Sequence, residues 1–119
     1  MNNITLNKIQ YQIWFDSELQ ESDNRCNVSI AAKIEGALNK DILQQSLAYY
    51  CQEYSVLRSV VVPGTQGKAY WQPDENFKVP LTVFHEGVFN NDETHKKIED
   101  YSAKPFDIKK EYPSRFYLH

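Results

Sequence analysis

The chain has 119 residues, 41% hydrophobic, 24% charged and 13% aromatic, with a formal net charge of -3 and a pI near 5.6. That size fits one small domain or part of a larger one, and the acidic balance speaks against nucleic acid or an anionic membrane surface as partner, since both need clustered positive charge. No apolar run approaches a membrane span, the start Met1-Asn2-Asn3-Ile4 lacks the features of a secretory signal, and Cys26 and Cys51 are too few for a disulfide scaffold, so two buried free thiols in the cytoplasm are expected.

Residues 6–17 read as a short helix. Asn7 can cap it, and Leu6, Ile9, Ile13 and Trp14 supply an apolar side. Residues 18–25 are polar and include the turn formers Ser22-Asp23-Asn24. In residues 26–34, Val28, Ile30, Ala32 and Ile34 alternate with Asn27, Ser29, Ala31 and Lys33, which predicts a strand with one buried face. Glu35-Gly36 ends it.

Asn39 is the expected N-cap of a helix over 40–54, with Asp41 in its first turn. Leu43, Leu47, Tyr50, Cys51 and Tyr54 lie on one face of it. It hands over through Leu57-Arg58-Ser59 to Val60-Val61-Val62, an apolar run suited to a strand covered on both sides. Arg58 puts a full charge at that seam, and a buried guanidinium needs a partner. Asp107 and Glu35 are the candidates in this chain. With such a pair, Arg58→Ala is expected to cost a few kcal/mol.

Pro63-Gly64-Thr65-Gln66-Gly67 is the clearest turn, and residues 68–72 form the return strand of a hairpin with Trp71 as a packing residue. Residues 79–85 predict another short strand, with Pro80 at an edge or bend. Residues 92–103 predict a mainly polar helix held by Ile98 and Tyr101 and stopped by Lys104-Pro105. A last strand begins at Ser114, with Phe116 and Leu118 on one face. This order predicts an α+β domain, a mixed β-sheet with helices packed on one face. The chain is expected to continue beyond His119, because compact domains seldom end inside a strand.

The catalytic inventory is poor. His85, His95 and His119 have no second His or Cys at metal-ligand spacing. His85-Glu86 is a weak acid-base candidate, because strand neighbours point to opposite faces. Cys51 has no basic neighbour to lower its pKa. Lys96-Lys97, Lys109-Lys110 and Asp74-Glu75 read as solvated charge. No nucleophile, base and oxyanion donor can be named as a set, so no catalytic and no metal residue is expected.

Three separated stretches resemble one family, the condensation domains of nonribosomal peptide synthetases. Leu6-Asn7 through Gln10 to Trp14-Phe15 looks like the opening motif, with Asn7 where Ser is usual. Glu35-Gly36, Leu43, Leu47 and Leu57-Arg58-Ser59 are similar to the second motif, although Tyr54-Ser55 replaces the usual His-Glu. Pro105-Phe106-Asp107-Ile108 followed by Arg115 resembles the Pro-Phe-Asp-Leu stretch and its arginine. The resemblance implies structural, fold-signature roles for Gln10, Trp14, Leu57, Arg58, Phe106, Asp107 and Arg115. Arg58 then braces the lobe rather than joining a reaction.

The family belongs to the chloramphenicol-acetyltransferase-like acyltransferases, whose two lobes form a V around a tunnel. The resemblance implies that residues 1–119 are a single partial domain, most of the N-terminal lobe. The family's His-His-x-x-x-Asp-Gly signature does not occur in this sequence. The parent is then expected to join a carrier-bound acyl or peptidyl thioester to an acceptor amine. No cofactor binds the chain directly; phosphopantetheine belongs to the partner carrier proteins. The expected partners are those carrier domains or the rest of the synthetase. Self-association is expected through exposed lobe surface, for instance Phe116 and Leu118. The alternative is a noncatalytic interaction module that keeps half of the fold, and a third reading is an unrelated α+β domain.

Overall fold

Residues 3–19, 26–84 and 91–119 are described by the computed structural model. The expected turn at Ser22-Asp23-Asn24 and the His85-Glu86 pair lie outside the described residues. In chain order the elements are β1 (Ile4–Thr5), α1 (Lys8–Leu19), α2 (Lys40–Glu53), a 3-10 turn (Ser55–Arg58), β2 (Ser59–Pro63), β3 (Ala69–Pro73), β4 (Leu81–Val83), α3 (Asn91–Ala103) and β5 (Phe116–Leu118). Helices and strands together make an α+β architecture.

The β2–β3 hairpin is the centre. Val61 stands opposite Trp71 and Val62 opposite Tyr70 in an antiparallel register. The turn between them uses Gln66 and Gly67 at φ 57° and 72°, the left-handed region that glycine enters freely and glutamine does not. At Gly64 a side chain would run into the Tyr70 ring, so that position has room only for hydrogen. β1 adds to the far side of β3, with Ile4 opposite Trp71, giving the order β1-β3-β2. β4 and β5 form a separate parallel pair, Leu81 opposite Phe116 and Val83 opposite Leu118. Both pairing types of the expected mixed sheet are thus present, in two sheets.

The core sits where α1 crosses this hairpin. Leu6, Trp14, Val61, Ala69 and Trp71 are buried together, with Ile4, Tyr11, Val56 and Ile108 packed against them. Alternation along β2 explains the valine run: Ser59 and Val61 are buried, while Val60 and Val62 are only half-buried. The run is therefore covered fully on one face, not on both. The Val61 amide donates to the Ile108 carbonyl at 2.7 Å, which ties residues 106–110 to the free edge of β2.

Several expectations fail on burial. Residues 26–34 form no strand and join no sheet among the described residues, and Val28 and Ile30 are 89% and 93% exposed. Cys26 is accordingly exposed, whereas Cys51 is buried. On α1 the buried residue is Trp14, not Ile9 or Ile13, because the helix meets the sheet through Tyr11 and Trp14. On α2 only Cys51 is buried, and Tyr50 and Tyr54 stack on each other in the open. Phe116 and Leu118 are half-buried, so they are not the chief exposed apolar surface.

Candidate functional site

The first node is the start of α1. Asn7 and Gln10 cap the helix reciprocally: the Gln10 amide donates to Asn7 Oδ1 at 2.8 Å, and the Asn7 amide donates to Gln10 Oε1 at 2.9 Å. The same Oε1 accepts the Trp71 Nε1 proton at 3.1 Å. One side-chain amide thus satisfies a helix end and a buried indole on β3. Tyr11 reinforces the junction by donating its hydroxyl to the Gly67 carbonyl at 2.7 Å. Trp14 lies beneath Tyr11, ring centroids 5.6 Å apart, with its own Nε1 buried and without a hydrogen-bond partner.

The second node is Arg115, just before β5. Its Nε donates to Glu111 Oε1 at 2.9 Å, and Nη2 meets the same carboxylate oxygen. Nη1 donates to the Lys104 carbonyl at 2.9 Å and Nη2 to the Pro105 carbonyl at 2.7 Å. The guanidinium also lies 3.8 Å from the centroid of the Phe106 ring. Asn27 donates to the Lys104 carbonyl as well, at 2.9 Å, and to Ser102 at 3.1 Å. The Ser102 carbonyl in the last turn of α3, which a helix leaves unpaired, is therefore satisfied by the Asn27 carboxamide, and the Lys104 and Pro105 carbonyls just beyond the helix by the guanidinium. Asp107 serves its own turn: its carboxylate accepts from the Lys109 amide at 3.2 Å.

A cleft of about 630 Å³ runs beside Arg115, lined among others by Val60, Pro73, Asp74, Tyr112 and Ser114. Tyr112 donates to Asp74 Oδ2 at 2.6 Å, and the Asn76 amide donates to Oδ1 at 2.9 Å. The Tyr112 bond leads the effects that hold the Asp74 carboxyl below its usual range, with a smaller contribution from the Arg58 charge. Burial first, then the bond to Asp74, pushes the Tyr112 phenol up to about 12. The Ser114 hydroxyl is buried and unpartnered.

The sequence-named residues do not form one site. Gln10 and Trp14 belong to the α1 junction; Phe106, Asp107 and Arg115 belong to the segment that follows α3. Leu57 donates its amide to the Tyr54 carbonyl at 2.9 Å inside the 3-10 turn. Arg58 pairs with neither Asp107 nor Glu35. Glu35 meets Lys33 at 3.4 Å, Asp107 holds its turn, and Arg58 Nε is buried without a hydrogen-bond partner. The Arg58 contact that does form is through backbone, where its carbonyl accepts from the Asp74 amide at 2.9 Å. Lys109 is not simply solvated, since it reaches Glu18 of α1 at 3.1 Å. Glu111 and Tyr112 were missed by sequence reasoning, and Asp74, expected as solvated charge, instead accepts from Tyr112. The Glu111–Arg115 spacing of four was a usable signal; nothing local joins Asp74 to Tyr112.

Reactive groups are scattered. His95 is exposed on α3. His119 stacks on Phe84, centroids 4.5 Å apart, and burial lowers its pKa. The Cys51 thiol is pushed up by burial, the reverse of an activated nucleophile. Among the described residues, no three His, Cys, Asp or Glu side chains come together as a metal would require, and no helix is long and apolar enough to cross a membrane.

These features define an α+β scaffold whose best-organised polar side chains close helix ends and bind segments together. The chain belongs to the condensation-domain family, whose model matches residues 1–119. Domains of this family form amide bonds in nonribosomal peptide synthesis and work with carrier domains. No curated protein and no solved structure matches the chain.

Proposed function

We propose that residues 1–119 are an N-terminal lobe of a condensation domain, a bracing half without reaction machinery of its own. The parent joins a donor thioester, carried on phosphopantetheine, to an acceptor amine in the cytoplasm. Base assistance and stabilisation of developing charge then come from a His-His-x-x-x-Asp-Gly segment outside these residues. The observation that carries this reading is the combination of a family match over residues 1–119 with a sequence that lacks that segment. The Arg115 clasp supports it, because it fixes the course of the chain into β5.

The test is a polypeptide in which this chain is followed by its own downstream residues. Amide formation from a carrier-bound thioester, lost when the second histidine of the signature is replaced, is the expected result. An extended protein without the signature would sink the enzyme reading. A second reading, a noncatalytic interaction module, is favoured by the exposed apolar row Val28, Ile30 and Ile34. A stop codon directly after His119 in the native gene would favour it.

A further inference from the structure

The register of the hairpin runs one pair beyond its strands. Ser59 faces Pro73, and the next pair out is Arg58 with Asp74, whose amide donates to the Arg58 carbonyl at 2.9 Å. Opposed residues of an antiparallel pair carry their side chains on one face, about 5 Å apart at Cβ. Asp74 therefore stands where an acid paired with Arg58 belongs, a neighbour that only the folded hairpin supplies. The Arg58 charge is felt there, as one of the effects that hold the Asp74 carboxyl below its usual range.

The carboxylate is nevertheless turned to other donors. Oδ2 accepts the Tyr112 hydroxyl proton at 2.6 Å and Oδ1 accepts the Asn76 amide at 2.9 Å, while Arg58 Nε is buried without a hydrogen-bond partner. Two arrangements thus compete for one oxygen. With Tyr112 on it, a buried N–H of the guanidinium goes unsatisfied, which is costly. With Arg58 on it, the phenol loses its acceptor, but Tyr112 lines the open cleft and can turn its proton to water there. The phenol oxygen keeps the Lys78 backbone amide beside it. Arg58 gains a charge-assisted hydrogen bond in exchange. Each arrangement leaves one donor to be satisfied elsewhere, so neither is favoured by a wide margin, the condition for a contact with two positions.

The two positions differ in what they join. Arg58 and Asp74 flank the same hairpin, whereas Tyr112 lies in the segment that leads into β5 of the other sheet. The phenol bond spans the two sheets; the guanidinium bond stays within one.

We propose that Asp74 is a two-position switch, its carboxylate passing from the Tyr112 hydroxyl to the Arg58 guanidinium and so releasing one tie between the hairpin sheet and the β4–β5 pair. All three groups lie within this chain, so the inference is independent of the enzymatic reading.

The test removes the competitor. Tyr112→Phe deletes the hydroxyl and keeps the ring. Arg58→Met is expected to change the unfolding equilibrium by less than about threefold in the parent and by about fivefold or more in the Tyr112→Phe background, the difference vanishing once Asp74→Asn is added. In 15N-labelled protein the Arg58 Nε–H signal, assigned by its loss in Arg58→Met, is expected to shift and to exchange with solvent about tenfold more slowly after Tyr112→Phe. An Arg58→Met effect of equal size in both backgrounds would overturn the proposal. So would an Nε–H signal that Tyr112→Phe leaves unmoved. A shift that survives Asp74→Asn would place the guanidinium on a different acid and overturn it equally.

Discussion

Gln10 and Trp71, 61 residues apart, share a hydrogen bond at 3.1 Å through an oxygen that also closes the first turn of α1. One acceptor holds the helix and the hairpin in register. Gln10→Ala opens the capping box and leaves the Trp71 indole N–H without its acceptor. The expected loss is about 2 kcal/mol, a cap at about 1 plus an unsatisfied buried donor of similar size. Gln10→Glu keeps the oxygen and should lose less than half as much. Urea denaturation of both variants checks this; equal losses would show that the oxygen is not the relevant group.

Arg115 satisfies the Lys104 and Pro105 carbonyls just after α3, pairs with Glu111 and covers Phe106. Its side chain is 12% exposed while that of Glu111 is 37% exposed, so the guanidinium is withdrawn from water and the carboxylate is not. Arg115→Ala should cost about 2 kcal/mol, the scale of losing hydrogen bonds to a charged group. Arg115→Lys should recover little, because an ammonium cannot span both carbonyls and the carboxylate. A lysine variant of wild-type stability by thermal melting would contradict the clasp.

Arg58 carries the opposite prediction. Its Nε is buried and unpaired, and neither expected acid reaches it. Removing an unpaired buried donor while keeping the stem is close to neutral, within about 0.5 kcal/mol. Arg58→Met should therefore melt like the parent, and Arg58→Ala should lose about 1 kcal/mol through the missing stem contacts. A loss beyond about 2 kcal/mol in the methionine variant would show that the guanidinium has a strong partner after all.

The Asp74–Tyr112 bond makes stability depend on alkaline pH. The phenol is raised to about 12 in the fold, above its ordinary value of 10.0. Folding thus favours the protonated form. The contribution is fully present below pH 10 and is lost as pH rises through 12. Asp74 works at the other end: its pKa is lowered, so its contribution holds above the usual carboxylate range and is lost as pH falls. Urea midpoints measured upward from neutral pH should fall more steeply for the parent than for Tyr112→Phe. Parallel curves would mean that Tyr112 is not the responsible group.

Local rules were legible where local physics decides. Asn39 caps α2 by accepting the Ile42 amide at 3.1 Å, the hairpin turns at Gly64–Gly67, and α3 stops before Lys104-Pro105. Residues 26–34 show the limit. A period of two says how a segment can pair, but whether a neighbour is there to pair with is a long-range fact. β1, two residues long, is too short to show any period. The same division runs through the braces. Glu111 and Arg115 are one helical turn apart in sequence, a spacing open to inspection, while Asp74 and Tyr112 meet across 38 residues. Arg58 was readable as a charge at a seam, but the acids named for it are engaged elsewhere.

We propose above that this chain braces a condensation domain whose reaction machinery lies outside residues 1–119. The most direct measurement is mass-spectrometric detection of amide product from a carrier-bound thioester and an acceptor amine. The 119-residue chain should give only the uncatalysed background, and the same chain continued through a His-His-x-x-x-Asp-Gly segment should turn over. Product formed by the 119-residue chain well above background would contradict the account.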